Sequence, residues 1–281
     1  MEFQKMHGIG NDYIFIDNLD GKELDIKPYI KQLCNRNTGI GSDGVVIMEK
    51  SDKANCFMRI YNADGSEAEM CGNAIRCVAL YLYEKGMLLT PDLKIDTLAG
   101  IKDLHLIINH RTKEVENIRV KMGIPSFDGK DIGLKNNETY IRKPIIINGK
   151  TLEITTLSMG NPHTVTFVDD IEKVDINELG PAIENNELFL NRTNVEFVEV
   201  IDRFRIRMRV WERGSKETLA CGTGACAALV ASAISQRTNR SVDVYMRDGV
   251  LKVYWDFDST RNVYLTGPAE TVYTGKIKVK K

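Results

Sequence analysis

With 281 residues, 43% of them hydrophobic, the chain has enough apolar material for a substantial core and suits two domains of about 100 to 150 residues each. Its 38 basic and 39 acidic side chains leave a formal charge of −1. No overall field therefore recruits nucleic acid or an anionic membrane, and the expected partner is a small molecule. No run of about 18 apolar residues occurs, and His7, Asn11 and Asp12 break up the first dozen positions, so the chain reads as soluble and cytoplasmic, with no membrane span or leader.

Taken in chain order, the runs DYIFID (12–17), GVVIME (44–49), CFMRIY (56–61) and NIRVKM (117–122) carry strand periodicity. Between the last two lies a segment that is apolar nearly all round, through Ala74, Ile75, Val78, Ala79, Leu82 and Tyr83 to Gly86. It reads as a buried helix stopped by a C′ glycine. Residues 126–143, SFDGKDIGLKNNETYIRK, are polar, glycine-bearing and unpatterned, and are read as the interdomain crossing. Strand periodicity resumes with HTVTFV (163–168), VEFVEV (195–200), FRIRMRV (204–210), VDVYM (242–246) and LKVYW (251–255), and a second all-apolar helix runs from Ala225 to Ile234. The fold expected is α/β (α+β) with two pseudo-symmetric lobes, each a central buried helix wrapped by a mixed, curved sheet. The lobes are placed at 1–130 and 131–269, the strand at 270–281 returning to complete the first, with the active site in the cleft between them.

The two halves look like diverged copies. At an offset of 150 residues RIYNADGSEAEMCG falls on RVWERGSKETLACG, bringing Arg59 onto Arg209, Tyr61 onto Trp211, Asn62 onto Glu212, Cys71 onto Cys221 and Gly72 onto Gly222. Gly10-Asn11 falls likewise on Gly160-Asn161.

Six cysteines without a CxxC spacing make neither a disulfide framework nor a zinc site, so no metal is expected. Cys34, Cys56, Cys77 and Cys226 sit in apolar or helical context and read as packing. Cys71 and Cys221 differ, because each precedes a glycine at the start of a buried helix. Unsatisfied N–H groups there carry partial positive charge, which lowers a thiol's pKa from about 8.5 toward neutrality. A pair of such thiols suggests a proton donor and acceptor on opposite sides of one carbon atom. The arginines at 203, 205, 207 and 209 read as an exposed strand face and His105 and His110 as solvated, whereas His7 lies near the presumed cleft.

MHGIGNDY, GIGSDG (39–44), YNADGSEAEMCGNAIRC, SMGNPH, WERGSKET and ACGTGACAA resemble, in order and over nearly the whole chain, the signature blocks of the diaminopimelate epimerase family. The related proline racemases and hydroxyproline epimerases share the cysteine pair but differ at Asn73. The resemblance implies a cofactor-independent isomerase, without pyridoxal phosphate, that interconverts LL- and meso-diaminopimelate on the route to lysine. It implies catalytic roles for Cys71, Cys221, His163 and Glu212. Substrate contacts are implied for Asn11, Asn62, Gly72, Asn73, Asn161, Asn194, Glu212, Arg213, Gly222 and Thr223, with the arginine suited to a distal carboxylate and the glutamate to an ammonium. It further implies a homodimer, with Tyr273 near the contact. Gly44 stands where many relatives carry glutamine, so no side-chain contact is assigned there. The alternatives are a racemase of another amino acid on the same two-thiol framework, or a binding protein of the same fold that lost the reaction.

Overall fold

A computed structural model describes residues 1–22 and 24–278; the end of the KIKVKK tail lies outside them. The chain divides into two compact units. The first comprises Met1–Val120 with the C-terminal segment from Gly267, and the second is Lys121–Thr266.

The first unit begins with β1 (Glu2–Gly8) and β2 (Asn11–Asn18), joined by a two-residue turn in which Gly10 adopts φ +80°. A short helix α1 (Ile30–Cys34) leads into β3 (Gly44–Glu49) and β4 (Cys56–Asn62). After the two-residue β5 (Glu67–Ala68) comes α2 (Gly72–Glu84), followed by β6 (Asp92–Asp96), β7 (Lys102–Ile108) and β8 (Val115–Gly123). The β1–β2 pair is antiparallel, β2–β3 parallel, β3–β4 antiparallel, β4–β6 parallel, and β6–β7–β8 antiparallel. Helix α2 packs on β1, β2 and β7 and is buried from Gly72 through Leu82. It ends as its sequence dictates, with Gly86 at φ +68° just past the cap.

The second unit opens with a short helix α3 (Gly129–Ile132), then β9 (Lys143–Ile147), β10 (Lys150–Ser158) and β11 (Pro162–Phe167). Helix α4 (Ile176–Glu184) precedes β12 (Asn194–Asp202), β13 (Arg205–Glu212) and β14 (Lys216–Thr218). Helix α5 (Gly222–Ile234) is followed by β15 (Ser241–Met246), β16 (Gly249–Trp255) and β17 (Val263–Gly267). Pairing repeats that of the first unit: β10–β11 antiparallel, β11–β12 parallel, β12–β13 antiparallel, β13–β15 parallel, β15–β16–β17 antiparallel. The duplication extends to register, since Tyr13↔Gly44 in one unit matches His163↔Asn194 in the other at the 150-residue offset. Helix α5 packs on β10, β11, β12, β13, β15 and β16. Ala225, Ala227, Ala228 and Ala231 are fully buried along it, so the strands approach its backbone closely and every side of the helix is apolar because every side is covered.

The last strand, β18 (Glu270–Lys276), pairs antiparallel with β1, just as β9 pairs with β10. A duplicated fold needs one strand outside that hairpin in each copy, and the first copy takes its own from the chain's end. The polar segment 126–143 belongs to the second unit, where Ile132 and Leu134, two residues apart, are buried in a cluster with Phe189. The arginine strip of β13 is exposed only in part. Arg205 is exposed, but the Arg209 side chain is 13% exposed and bonds Glu217 through Nε at 2.8 Å. The alternation that placed these side chains on one face did not reveal Glu217 of β14 lying beside that face. His110 is exposed as read, whereas His105 is half-buried against Asp92 at 2.7 Å. Among the described residues no helix is long and apolar enough to cross a membrane.

Candidate active site

Each unit presents a cysteine as the cap of its buried helix. Cys71 (φ −138°, ψ 122°) and Cys221 (φ −130°, ψ 114°) share one extended conformation. The following glycine, Gly72 or Gly222, is the first helical residue, so each cysteine stands at a helix start, and at Cys221 the side chain accepts from a leading N–H, that of Gly224.

In the first unit, Asn11, Cys71 and Asn73 come together. The Asn11 amide group donates to Asp43 Oδ2 at 2.8 Å, leaving Asn11 Oδ1 to accept from Asn73 Nδ2 (3.2 Å) and from the Cys71 thiol (3.5 Å). The Tyr13 hydroxyl donates to Cys71 Sγ at 3.6 Å. Behind them Arg76, 0% exposed, donates to Asn73 Oδ1, Gly72 O and Pro268 O at 2.9 to 3.0 Å, tying the helix start to the segment entering β18. Burial and the facing Asp12 carboxylate push the Asp43 carboxyl up. Asp12, despite its own burial, is held below the usual range by Arg36 and Lys5. Asn62 stands apart, donating to Ser66 Oγ at 3.0 Å within its turn. His7 pairs with Glu270 at 3.7 Å.

The second unit gathers Asn161, His163, Glu212, Cys221 and Thr223. The His163 ring faces Glu196 Oε1 through Nδ1 (2.6 Å) and Asn161 Oδ1 through Nε2 (3.0 Å). Asn161 Nδ2 donates to Thr223 Oγ1 at 3.3 Å, and that hydroxyl lies 3.5 Å from Cys221 Sγ. The Gly224 N–H donates to the same sulfur at 3.4 Å, and Thr218 donates to Glu212 Oε1. Asn194 and Arg213 form a separate pair: Asn194 bridges Pro162 O (2.8 Å) and the Arg213 N–H (2.9 Å), and Arg213 Nη1 reaches Asn191 O at 3.3 Å.

The expectation that the helix start lowers both thiol pKa values is overturned at Cys221. Its thiol is pushed well above the ordinary value, first by burial and then by the Glu212 and Glu196 carboxylates, which outweigh the Thr223 and Gly224 donors. The Glu212 carboxyl is also raised by burial, against hydrogen bonds from Thr218 and Cys221 and the charge of His163. Glu196 and Tyr13 escaped the sequence reading. The 150-residue offset reaches both, for Tyr13 falls on His163 and Val46 on Glu196, but neither lies in a cysteine block. The other four cysteines are buried among their neighbours.

Each copy thus sets a thiol, a helix start and a ring-bearing side chain from the second strand of its sheet around one point. Solved structures share the fold. The chain is similar to a phenazine biosynthesis protein of the PhzF family from Bacillus anthracis (TM-score 0.71, 18% identity, 99% of each chain covered). It is also similar to a probable proline racemase from Agrobacterium radiobacter K84 (TM-score 0.70, 13% identity, 99% of this chain and 93% of that one). The fold class is that of these two structures. Within that class, the sequence model described as diaminopimelate epimerase matches residues 3–127 and 155–272. The chain is 44% identical to the diaminopimelate epimerase of Moorella thermoacetica over 277 residues, 98% of each. It is also 44% identical to that of Caldanaerobacter subterraneus subsp. tengcongensis over 280 residues, 99% of this chain and all of the other. The chain belongs to the diaminopimelate epimerase family.

Proposed function

We propose that this chain interconverts LL- and meso-2,6-diaminopimelate in lysine biosynthesis, with Cys71 and Cys221 acting on opposite faces of one α-carbon. Full-length identity to named epimerases supports the activity. The single observation that carries the mechanism is the matched placement of two cysteines as caps of two buried helices. An α-hydrogen on an amino-acid zwitterion is very weakly acidic, so the charge released as it leaves must be stabilised. The N–H groups at Gly72-Asn73 and Gly222-Thr223 are suited to the substrate α-carboxylate, and one such donor typically lowers a barrier by about 3 kcal/mol.

The two thiols are unequal. Burial and two carboxylates favour the protonated form of Cys221, making it the proton donor first. Cys71, receiving the Tyr13 hydroxyl, is the first acceptor. In the reverse direction Glu212 takes the Cys221 proton, and the burial that raises its own pKa makes it a better acceptor than an ordinary carboxylate. Both sulfurs are not charged at once, since facing anions in a dry site repel. Asn11, Asn62, Asn73, Asn161, Asn194 and Thr223 fix the substrate's register, and Arg213 takes the distal carboxylate in a bidentate grip. A small-molecule substrate and a cytoplasmic homodimer, with the exposed Val272 and Tyr273 of β18 at its contact, complete the reading.

The test is alanine at each cysteine. Cys71→Ala and Cys221→Ala are each expected to lose at least about 10²-fold in turnover of LL-diaminopimelate, followed by chiral chromatography of the meso product. Near-normal turnover in either variant removes that residue from the mechanism.

A further inference from the structure

Glu196 is a buried carboxylate that the fold does not require. It is 0% exposed, and its Oε2 has no hydrogen-bond partner. In the duplicate copy its place is taken by Val46, also 0% exposed, at the same register: Phe15↔Val46 on β2–β3 matches Val165↔Glu196 on β11–β12. An apolar side chain therefore satisfies this sheet position, whereas a carboxylate there must be compensated. The compensation is visible: Glu196 Oε1 lies 2.6 Å from His163 Nδ1, and both side chains are 0% exposed.

The hydrogen bonds continue from this pair to the sulfur. The His163 Nε2 faces Asn161 Oδ1, Asn161 Nδ2 donates to Thr223 Oγ1, and Thr223 Oγ1 lies within reach of Cys221 Sγ. With Glu196 ionised, each link has one donor and one acceptor when both ring nitrogens of His163 carry hydrogen. Nδ1–H then donates to Glu196, Nε2–H donates to Asn161, and the amide orientation this fixes leaves the Thr223 hydroxyl proton pointing at sulfur. Without a charge at 196 the second ring proton has no counter-ion. The Nε2–H donation to Asn161 is then no longer enforced: with the remaining proton on Nδ1, Nε2 presents a lone pair, the Asn161 amide reverses, and Thr223 donates to Asn161 instead of Cys221. The titratable groups around the ring are Glu196 from β12, Glu212 from β13 and Cys221 at the start of α5. Of these only Glu196 contacts the ring directly in the structure.

We propose that Glu196 is a positioning residue for Cys221: by pairing with a doubly protonated His163 it sets the direction of the Asn161–Thr223 hydrogen bonds, so that the Thr223 hydroxyl donates to the Cys221 sulfur. The inference rests on Cys221 acting in turnover.

Glu196→Gln keeps size and shape and removes the charge, and Glu196→Val installs the residue of the duplicate position. In both, kcat is expected to fall about tenfold or more while KM for diaminopimelate changes less than about threefold. Loss of the carboxylate by itself would ease ionisation of Cys221, so alkylation of Cys221 by iodoacetamide moving to higher pH, resolved by peptide mass spectrometry, reads the lost Thr223 donor, and a move to lower pH overturns the proposal. Nitrogen NMR of the histidines shows two ring protons on His163 in the unaltered protein near pH 7 and one in either variant. A singly protonated His163 in the unaltered protein overturns the proposal, as does unchanged kcat and alkylation in a folded Glu196 variant. An active Cys221→Ala enzyme instead defeats the two-thiol reading, so the two failures are distinguishable.

Discussion

Two substitutions isolate what individual atoms do around the sulfurs. A Cβ at Gly224 would sit 2.9 Å from Glu196 Oε1 and 3.3 Å from Cys221 Sγ, and neither neighbour is free to move, the first being held by His163 and the second by the helix start. Overpacking of this kind costs about 1–3 kcal/mol, which the helix preference of alanine over glycine, about 1 kcal/mol, does not offset, so Gly224→Ala is expected to lower the melting temperature and to lower kcat about tenfold. A melting scan beside steady-state kinetics checks both halves. Tyr13→Phe removes only the hydroxyl that donates to Cys71. A hydrogen bond of this kind contributes on the order of 1 kcal/mol, so Cys71 alkylation by iodoacetamide at pH 7 should slow about fivefold; an unchanged rate would show that the hydroxyl does not support the sulfur. Legibility at this scale divides by chemistry. The two helix-capping cysteines were readable because glycine follows each, but Glu196 sits in VEFVEV, where a buried carboxyl looks like the solvent-facing residue of an ordinary alternating strand. Burial also reversed the pKa direction read for Cys221, and a helix start read from sequence says nothing about carboxylates brought in by other strands.

Among elements, β18 bears the most testable load. It pairs with β1 at six positions, and Gln4, Glu84 and Thr271 meet through side-chain hydrogen bonds at its start. Gly275 lies under the Phe3 ring, where a Cβ would approach to 2.7 Å. Removing residues 270–281 leaves β1 an unpaired edge and uncovers the flank of α2, so the truncated chain is expected to melt at least about 5 °C lower and to aggregate. An unshifted melt would show β18 to be dispensable. The regular strands and the two all-apolar helices were legible from periodicity. Helix α4 was not, because Gly180 and Pro181 fall inside its nine residues. Its only local signal is Asp175, whose side chain accepts from the Glu178 N–H. Strand β10 hid for another reason: Thr155, Thr156 and Ser158 are buried polar residues that break the apolar rhythm.

For the molecule as a whole, duplication explains both the fold and its asymmetry. The same strand pairings and registers recur in the two units, yet one copy carries Tyr13, Val46 and Asn62 where the other carries His163, Glu196 and Glu212. Cys71 thus has a phenol and an amide beside it, and Cys221 two carboxylates, the asymmetry that the proposed donor and acceptor roles would use. Burial has a further consequence for stability, since it pushes the Cys56 and Cys77 thiols up to about 12. These groups keep their protons in the folded chain while the unfolded chain releases them above about pH 9, so stability falls as pH rises from about 9 toward 12. Melting temperatures should drop between pH 8 and pH 10.5, and Cys77→Ala should flatten that slope. The central claim, that two thiols exchange protons with one α-carbon from opposite faces, is tested most directly by turnover of LL-diaminopimelate in heavy water at early times. The account predicts meso product carrying one deuterium at the inverted α-carbon while recovered LL substrate retains protium; meso product that keeps the substrate's own hydrogen would contradict it.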